Sequence, residues 1–117
     1  MNDPWSVHYY RDERGRDPVG DFIASCDEQL RIKIARALLV LKQSGNQLGM
    51  PLAAPVAGHR FWELRVQAGG NIARIFYFAA TGRSMVLLHG YIKKTVKAPR
   101  ADLAVATRRM EQYLSRR

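Results

Sequence analysis

The residues of this chain best suited to chemistry are cations set among apolar strand residues. In the run 60–67, Trp62, Leu64 and Val66 alternate with Phe61, Glu63 and Arg65, which places Arg65 on the polar side. Arg74 interrupts the run 71–79, which is otherwise apolar apart from the Tyr77 hydroxyl. An unpaired guanidinium in a protein interior is very costly, so Arg74 must reach solvent, a carboxylate or a ligand phosphate. One reading is a structural ion pair with Glu63 on the neighbouring strand. The other is an anion-facing role, for which the planar fork of arginine matches a phosphate. Lys93, Lys94 and Lys97 cluster just after the run 84–92. They are either a solvated strand end or, with Arg60, Arg65 and Arg74, part of a single basic surface that fits a nucleic-acid backbone. Tyr77 and Phe61 belong to the core or stack on bases. His89, beside Gly90, is either a satisfied core histidine or an acid–base group.

Other chemistries lack their residues. There is no phosphate-loop pattern, no nucleophile elbow and no paired-histidine or paired-cysteine metal motif. His8, His59 and His89 are far apart in sequence, and the single cysteine, Cys26, rules out a disulfide framework. The expectation is therefore no metal and no cofactor, with Cys26 a small buried hydrophobe.

The elements that must position these cations follow from periodicity. Residues 5–10 read as a first strand. Pro18 opens a short helix over 18–26, since its missing N–H is harmless in a first turn. Residues 27–43 form the clearest helix, with Leu30, Ile34, Ala37, Leu38 and Leu41 on one stripe. Ile32 and Leu39 fall off that stripe and offer a surface to a partner. The segment 44–58, with three glycines and two prolines, carries no expected regular element. Three strands follow over 60–67, 71–79 and 84–92, joined at Gly69-Gly70 and Thr81-Gly82-Arg83. A last helix over 99–115 has an apolar face of Leu103, Ala106, Met110, Tyr113 and Leu114, with Arg108, Arg109 and Arg116 elsewhere. Segregated helices beside a three-strand meander give an α+β fold in one domain, 1–117. Its sheet is antiparallel-rich, with two N-terminal helices on one face and a C-terminal helix.

The chain has 117 residues and a net charge of +9. Residues 1–57 hold seven basic and seven acidic side chains, and residues 58–117 hold twelve and three, so the second half carries the whole excess. That asymmetry implies a polyanionic partner. No apolar run approaches the length of a membrane span, and the first residues lack a secretory pattern, so a cytoplasmic domain is expected.

Three runs in order carry a resemblance: Phe61-Trp62-Glu63-Leu64-Arg65-Val66, Ala73-Arg74-Ile75-Phe76-Tyr77, and Leu87-Leu88-His89-Gly90-Tyr91-Ile92-Lys93-Lys94-Thr95, followed by Lys97-Ala98-Pro99. Together they resemble the phage-derived Gp49-like proteins of the RelE/ParE toxin superfamily, close to HigB-type toxins. The resemblance implies a small sheet with helices packed on one face and an RNA-binding groove on the other. It implies the toxin of a type II toxin–antitoxin module, a metal-independent, ribosome-dependent mRNA endonuclease. In that chemistry the ribose 2′-OH attacks the adjacent phosphate while cations stabilise the charge that develops there. Arg65, Arg74 and Lys94 then map to catalytic positions, and Arg60, Lys93 and Lys97 to RNA binding. His89 and Tyr77 serve as acid–base or stacking groups. The implied partners are mRNA, the ribosome and a small helix-turn-helix antitoxin. Three positions depart from the RelE pattern: Glu63 stands where RelE has lysine, Ala73 where a tyrosine is frequent, and no C-terminal catalytic tyrosine is evident. ParE-like relatives inhibit gyrase without cleavage, and that is the alternative function, together with a phage-derived nucleic-acid-binding remnant.

Overall fold

The computed structural model describes residues 4–49, 51–94 and 99–116. Five strands form one sheet in the order β1-β5-β4-β3-β2, where β1 is Ser6–Tyr9, β2 Ala53–Pro55, β3 Trp62–Ala68, β4 Asn71–Ala80 and β5 Ser84–Ile92. β3, β4 and β5 make the expected antiparallel meander, and β1 adds to it in parallel along β5. The helices are α1 (Pro18–Ser25), α2 (Glu28–Ser44) and α3 (Arg100–Arg116), with a single 3-10 turn at Gly45–Gln47. The chain is α+β, as its periodicity requires.

The segment 44–58 is not free of regular structure. β2 runs antiparallel to β3, pairing Ala53 with Leu64 and Pro55 with Trp62. Alanine and proline are poor strand formers, so composition hides this element. It survives because it is three residues long and lies at the sheet edge, where a proline interrupts no central ladder.

Local chemistry explains the two N-terminal helices. Pro18 occupies the first turn of α1, and the Asp17 side chain accepts the Gly20 N–H. The Asp27 side chain accepts the Leu30 N–H at the start of α2, which then buries Leu30, Ile34, Ala37 and Leu41. Each large member of that stripe contributes about 1.5–3 kcal/mol of apolar transfer. Gly90 of β5 lets α1 sit close, because a Cβ there would meet the Phe22 ring at 2.4 Å. On the solvent side of α2, Ile32 and Leu39 are 46% and 60% exposed.

The helices divide between the faces. α1 and α2 cover one face, built on Leu64, Val66, Ala73, Ile75, Tyr77, Met85 and Leu87. α3 lies on the opposite face, where Leu103, Ala106, Met110 and Tyr113 pack on Phe61, Phe76, Phe78, Val86 and Leu88. The second face is therefore not the bare groove that the resemblance implies. α3 occupies its β1 and β5 side, and the β3 and β4 side holds the charged groups described next. Among the described residues, no helix is long and apolar enough to cross a membrane.

Candidate functional site

Strand register assembles the site. Arg65 lies directly opposite Arg74, and Arg74 directly opposite Tyr91, so these three form one rung across β3, β4 and β5. Glu63, Phe76 and His89 form the next rung. Like charges directly opposite on neighbouring strands repel, so the Arg65–Arg74 pair costs stability unless a carboxylate lies between them. Glu63 does so with a single oxygen. Its Oε1 accepts Arg65 Nε at 2.9 Å and Arg74 NH1 at 2.5 Å. One carboxylate oxygen thus serves two guanidinium groups.

The two arginines differ in what they leave accessible. The Arg74 side chain is 11% exposed and the Arg65 side chain 32%. Arg74 is therefore largely committed to Glu63, as the structural reading of the sequence anticipates, whereas Arg65 extends toward solvent. Yet the commitment is incomplete. The Arg74 Nε and the Tyr91 hydroxyl are buried and have no hydrogen-bond partner among the described residues. Two neighbouring donors on one rung thus lack an acceptor, an unusual state for buried polar groups. Burial, with the Glu63 charge second, raises the Tyr91 pKa and keeps its hydroxyl protonated. Arg65 and Arg74 also line a cleft of about 300 Å³ with Pro51, Leu52, Val66, Gln67 and Ile72.

A β-bulge brings His89 to this face. Phe76 pairs with His89 and Tyr77 with Leu87, which leaves Leu88 as the extra residue on β5. Strict alternation from Leu87 would aim His89 at α1 and α2, and the extra residue redirects it toward α3. Its Nε2 then meets Asp102 Oδ1 of α3 at 2.5 Å, and Arg109 NH1 approaches Nδ1 at 3.3 Å. Arg109 can only donate, so Nδ1 accepts and Nε2 carries the proton toward Asp102. Burial lowers the His89 pKa, and Asp102 opposes that shift without cancelling it. A neutral imidazole with both nitrogens engaged fastens α3 to β5.

The other sequence candidates are dispersed. Tyr77 lies on the α1/α2 face, where burial pushes its pKa up to about 12. Arg60 lines a small pocket there with Trp62, Tyr77 and Met85 and does not join Arg65. Lys93 and Lys94 follow β5, with the Lys93 N–H donating to the Ile72 carbonyl at 2.7 Å. Lys97 lies outside the described residues. Phe61 is fully buried beside Phe76, with ring centroids 5.1 Å apart. Cys26 is buried and its thiol pKa is raised by burial.

Sequence reasoning missed Tyr91, Asp102 and Arg109. The last two carry a detectable signal, since Asp102, Ala106, Arg109 and Tyr113 recur at four, three and four residues along one helix face.

Comparison with known families decides the assignment. Residues 21–111 match the family described as Phage derived protein Gp49-like (DUF891). The chain belongs to this family. The matched region runs from α1 into α3, so it contains Glu63, Arg65, Arg74, His89, Tyr91, Asp102 and Arg109 of this Gp49-like protein. A search of curated proteins finds no match.

Proposed function

We propose that this Gp49-like protein is the toxin of a type II toxin–antitoxin module and acts as a ribosome-dependent, metal-independent mRNA endonuclease. The observation that carries the reading is the rung of Arg65, Arg74 and Tyr91, where two opposed guanidinium groups share one carboxylate oxygen. Such an arrangement works against fold stability and favours a bound anion. An RNA phosphate meets Arg65 from the solvent side, and the buried Arg74 Nε and Tyr91 hydroxyl become available to it only as the rung opens.

The protein then contributes no nucleophile. The ribose 2′-OH gives its proton to a base supplied by the ribosome or solvent and bonds to the adjacent phosphorus, the P–O5′ bond breaks, and a 2′,3′-cyclic phosphate forms. Arg65 and Arg74 stabilise the charge building on the non-bridging oxygens, and Lys94 delivers a proton to the leaving oxygen. Lys93 and Lys97 hold the flanking backbone. His89 is a positioning residue in this scheme, because both of its nitrogens are occupied in holding α3.

The antitoxin covers the Arg65 face with an acidic segment and the exposed Ile32 and Leu39 of α2 with apolar side chains. The same two residues favour the second reading, a ParE-like inhibitor that binds a host protein through α2. Primer extension on mRNA from cells producing the protein separates the two. Codon-phased cuts are the expected result, and growth arrest with intact mRNA would favour the inhibitor.

A further inference from the structure

Arginines from opposite ends of the chain converge on a second cleft, on the β1 side of α3. It encloses about 380 Å³ between the connection 11–17 and α3, and Arg14, Arg16, Arg108 and Arg109 line it with Asp12 and Glu13. Of these groups Arg109 comes nearest the Glu63 cluster, which it approaches through His89.

Asp12 is used up within the connection. Its Oδ1 accepts the Arg14 and Arg16 backbone N–H groups at 2.9 Å, and its Oδ2 accepts Arg16 Nε at 2.6 Å. Desolvation works to raise the Asp12 pKa, but these hydrogen bonds and the Arg16 charge outweigh it and hold the carboxyl low. Asp12 is ion-paired with Arg16, so Glu13 is the other carboxylate lining the cleft beside Arg14, Arg108 and Arg109.

Arg109 is the most constrained of the three. It donates to the Leu88 carbonyl at 2.9 Å, touches His89 Nδ1, and stacks 5.5 Å from the Tyr10 ring centroid. Arg116 stacks on the same ring at 5.4 Å and donates to the Arg11 carbonyl. Two guanidinium groups share one ring, and among the described residues neither has a carboxylate within ion-pair distance. Their hydrogen-bond acceptors are all neutral, and the Asp12 charge acts on Arg109 only from beyond ion-pair distance, so the positive charge is oriented and only partly offset. That is an arrangement for receiving an anion. Tyr10 is buried, and its hydroxyl is engaged by Gln112, so the cleft offers no bare ring for a base. Its walls suit a backbone.

The geometry points to a second phosphate-binding cleft, in which Arg14, Arg108 and Arg109 hold the backbone of single-stranded RNA on the β1 side of α3. The choice of RNA as the source of the phosphates rests on the proposed function. The cleft acts as an anchor apart from the reacting centre.

The test is fluorescence anisotropy with a short 2′-O-methylated RNA that cannot be cleaved, titrated at several salt concentrations. Three proteins are compared: the parent, Arg14→Glu with Arg108→Glu, and Arg65→Ala. Both residues of the double variant are exposed, and circular dichroism checks that it stays folded. The double variant is expected to bind at least tenfold more weakly at low salt. Its log–log salt slope should be shallower by about 1.4, two contacts at about 0.7 each on single strands. Affinity and slope equal to the parent's would overturn the proposal. So would weakened binding of polyglutamate with RNA binding untouched, which would assign the cleft to an acidic protein. Loss in Arg65→Ala alone removes the cleft and spares the proposed function. Loss in the double variant alone keeps the cleft and counts against the Arg65 site.

Discussion

On the α1/α2 face, Leu64, Val66, Ile75 and Leu87 meet Leu30, Ile34, Ala37 and Leu41, and the described core there contains no buried charge. On the α3 face, the same strands bury Glu63 and Arg74 beside Phe61, Phe76 and Phe78. One face is packed almost wholly with apolar side chains and holds no buried charge. The other alternates aromatic rings with ionised groups, and it tolerates two arginines side by side at a cost in repulsion. Within this small sheet, the two-residue period of the strands thus separates an apolar face from the charged face on which the proposed function rests.

If that division is real, the faces should fail differently. The largest effect is expected from Glu63→Ala, which strands two guanidinium groups and should cost about 3–5 kcal/mol in urea unfolding. Glu63→Leu combined with Arg74→Met should recover most of that loss, since apolar replacements of a buried ion pair are often neutral. A double variant as unstable as the single one would mean that the cluster itself holds the fold together. Next in size, Ile34→Ala should cost about 2–5 kcal/mol through the cavity it leaves. Its RNA affinity, measured well below its melting temperature, should match the parent's. A weaker affinity would couple the faces.

How far these two faces were legible in the sequence depends on the residue. The Leu30–Leu41 stripe and the Trp62–Leu64–Val66 alternation announce the α1/α2 face directly. Alternation also separates Arg60 from Arg65, since Arg60 shares its parity with Trp62, so the expected single basic surface was already in conflict with the period. His89 was not legible. Only the extra residue Leu88 turns it toward α3, and nothing in Leu87-Leu88-His89 marks a bulge. β2 was hidden by its alanines and proline. Arg109 was misplaced because a charge is expected to face water, whereas here the Tyr10 ring and the Leu88 carbonyl draw it inward.

Smaller effects sharpen the contrast. Asp27→Ala removes the acceptor for the Leu30 N–H and should cost about 1 kcal/mol by thermal melting, without altering RNA affinity. The α3 face should also respond to acid. Burial holds the folded His89 pKa below its ordinary value of 6.5, so the unfolded chain binds the proton more tightly. Stability is therefore fully present above about pH 6.5 and declines as pH falls through the folded value. His89→Gln should flatten that part of the melting-temperature profile, and an unchanged profile would exclude His89 as its source.

The central claim is that the more exposed arginine of the charged rung, Arg65, acts on RNA and not on the fold. Arg65→Ala tests it most directly, in cells producing equal soluble amounts of parent and variant. Loss of a partly exposed ion pair should cost no more than about 1 kcal/mol. The account predicts that the parent arrests growth and that the variant restores it with an almost unchanged melting temperature. A folded Arg65→Ala protein that still arrests growth as strongly as the parent would contradict it.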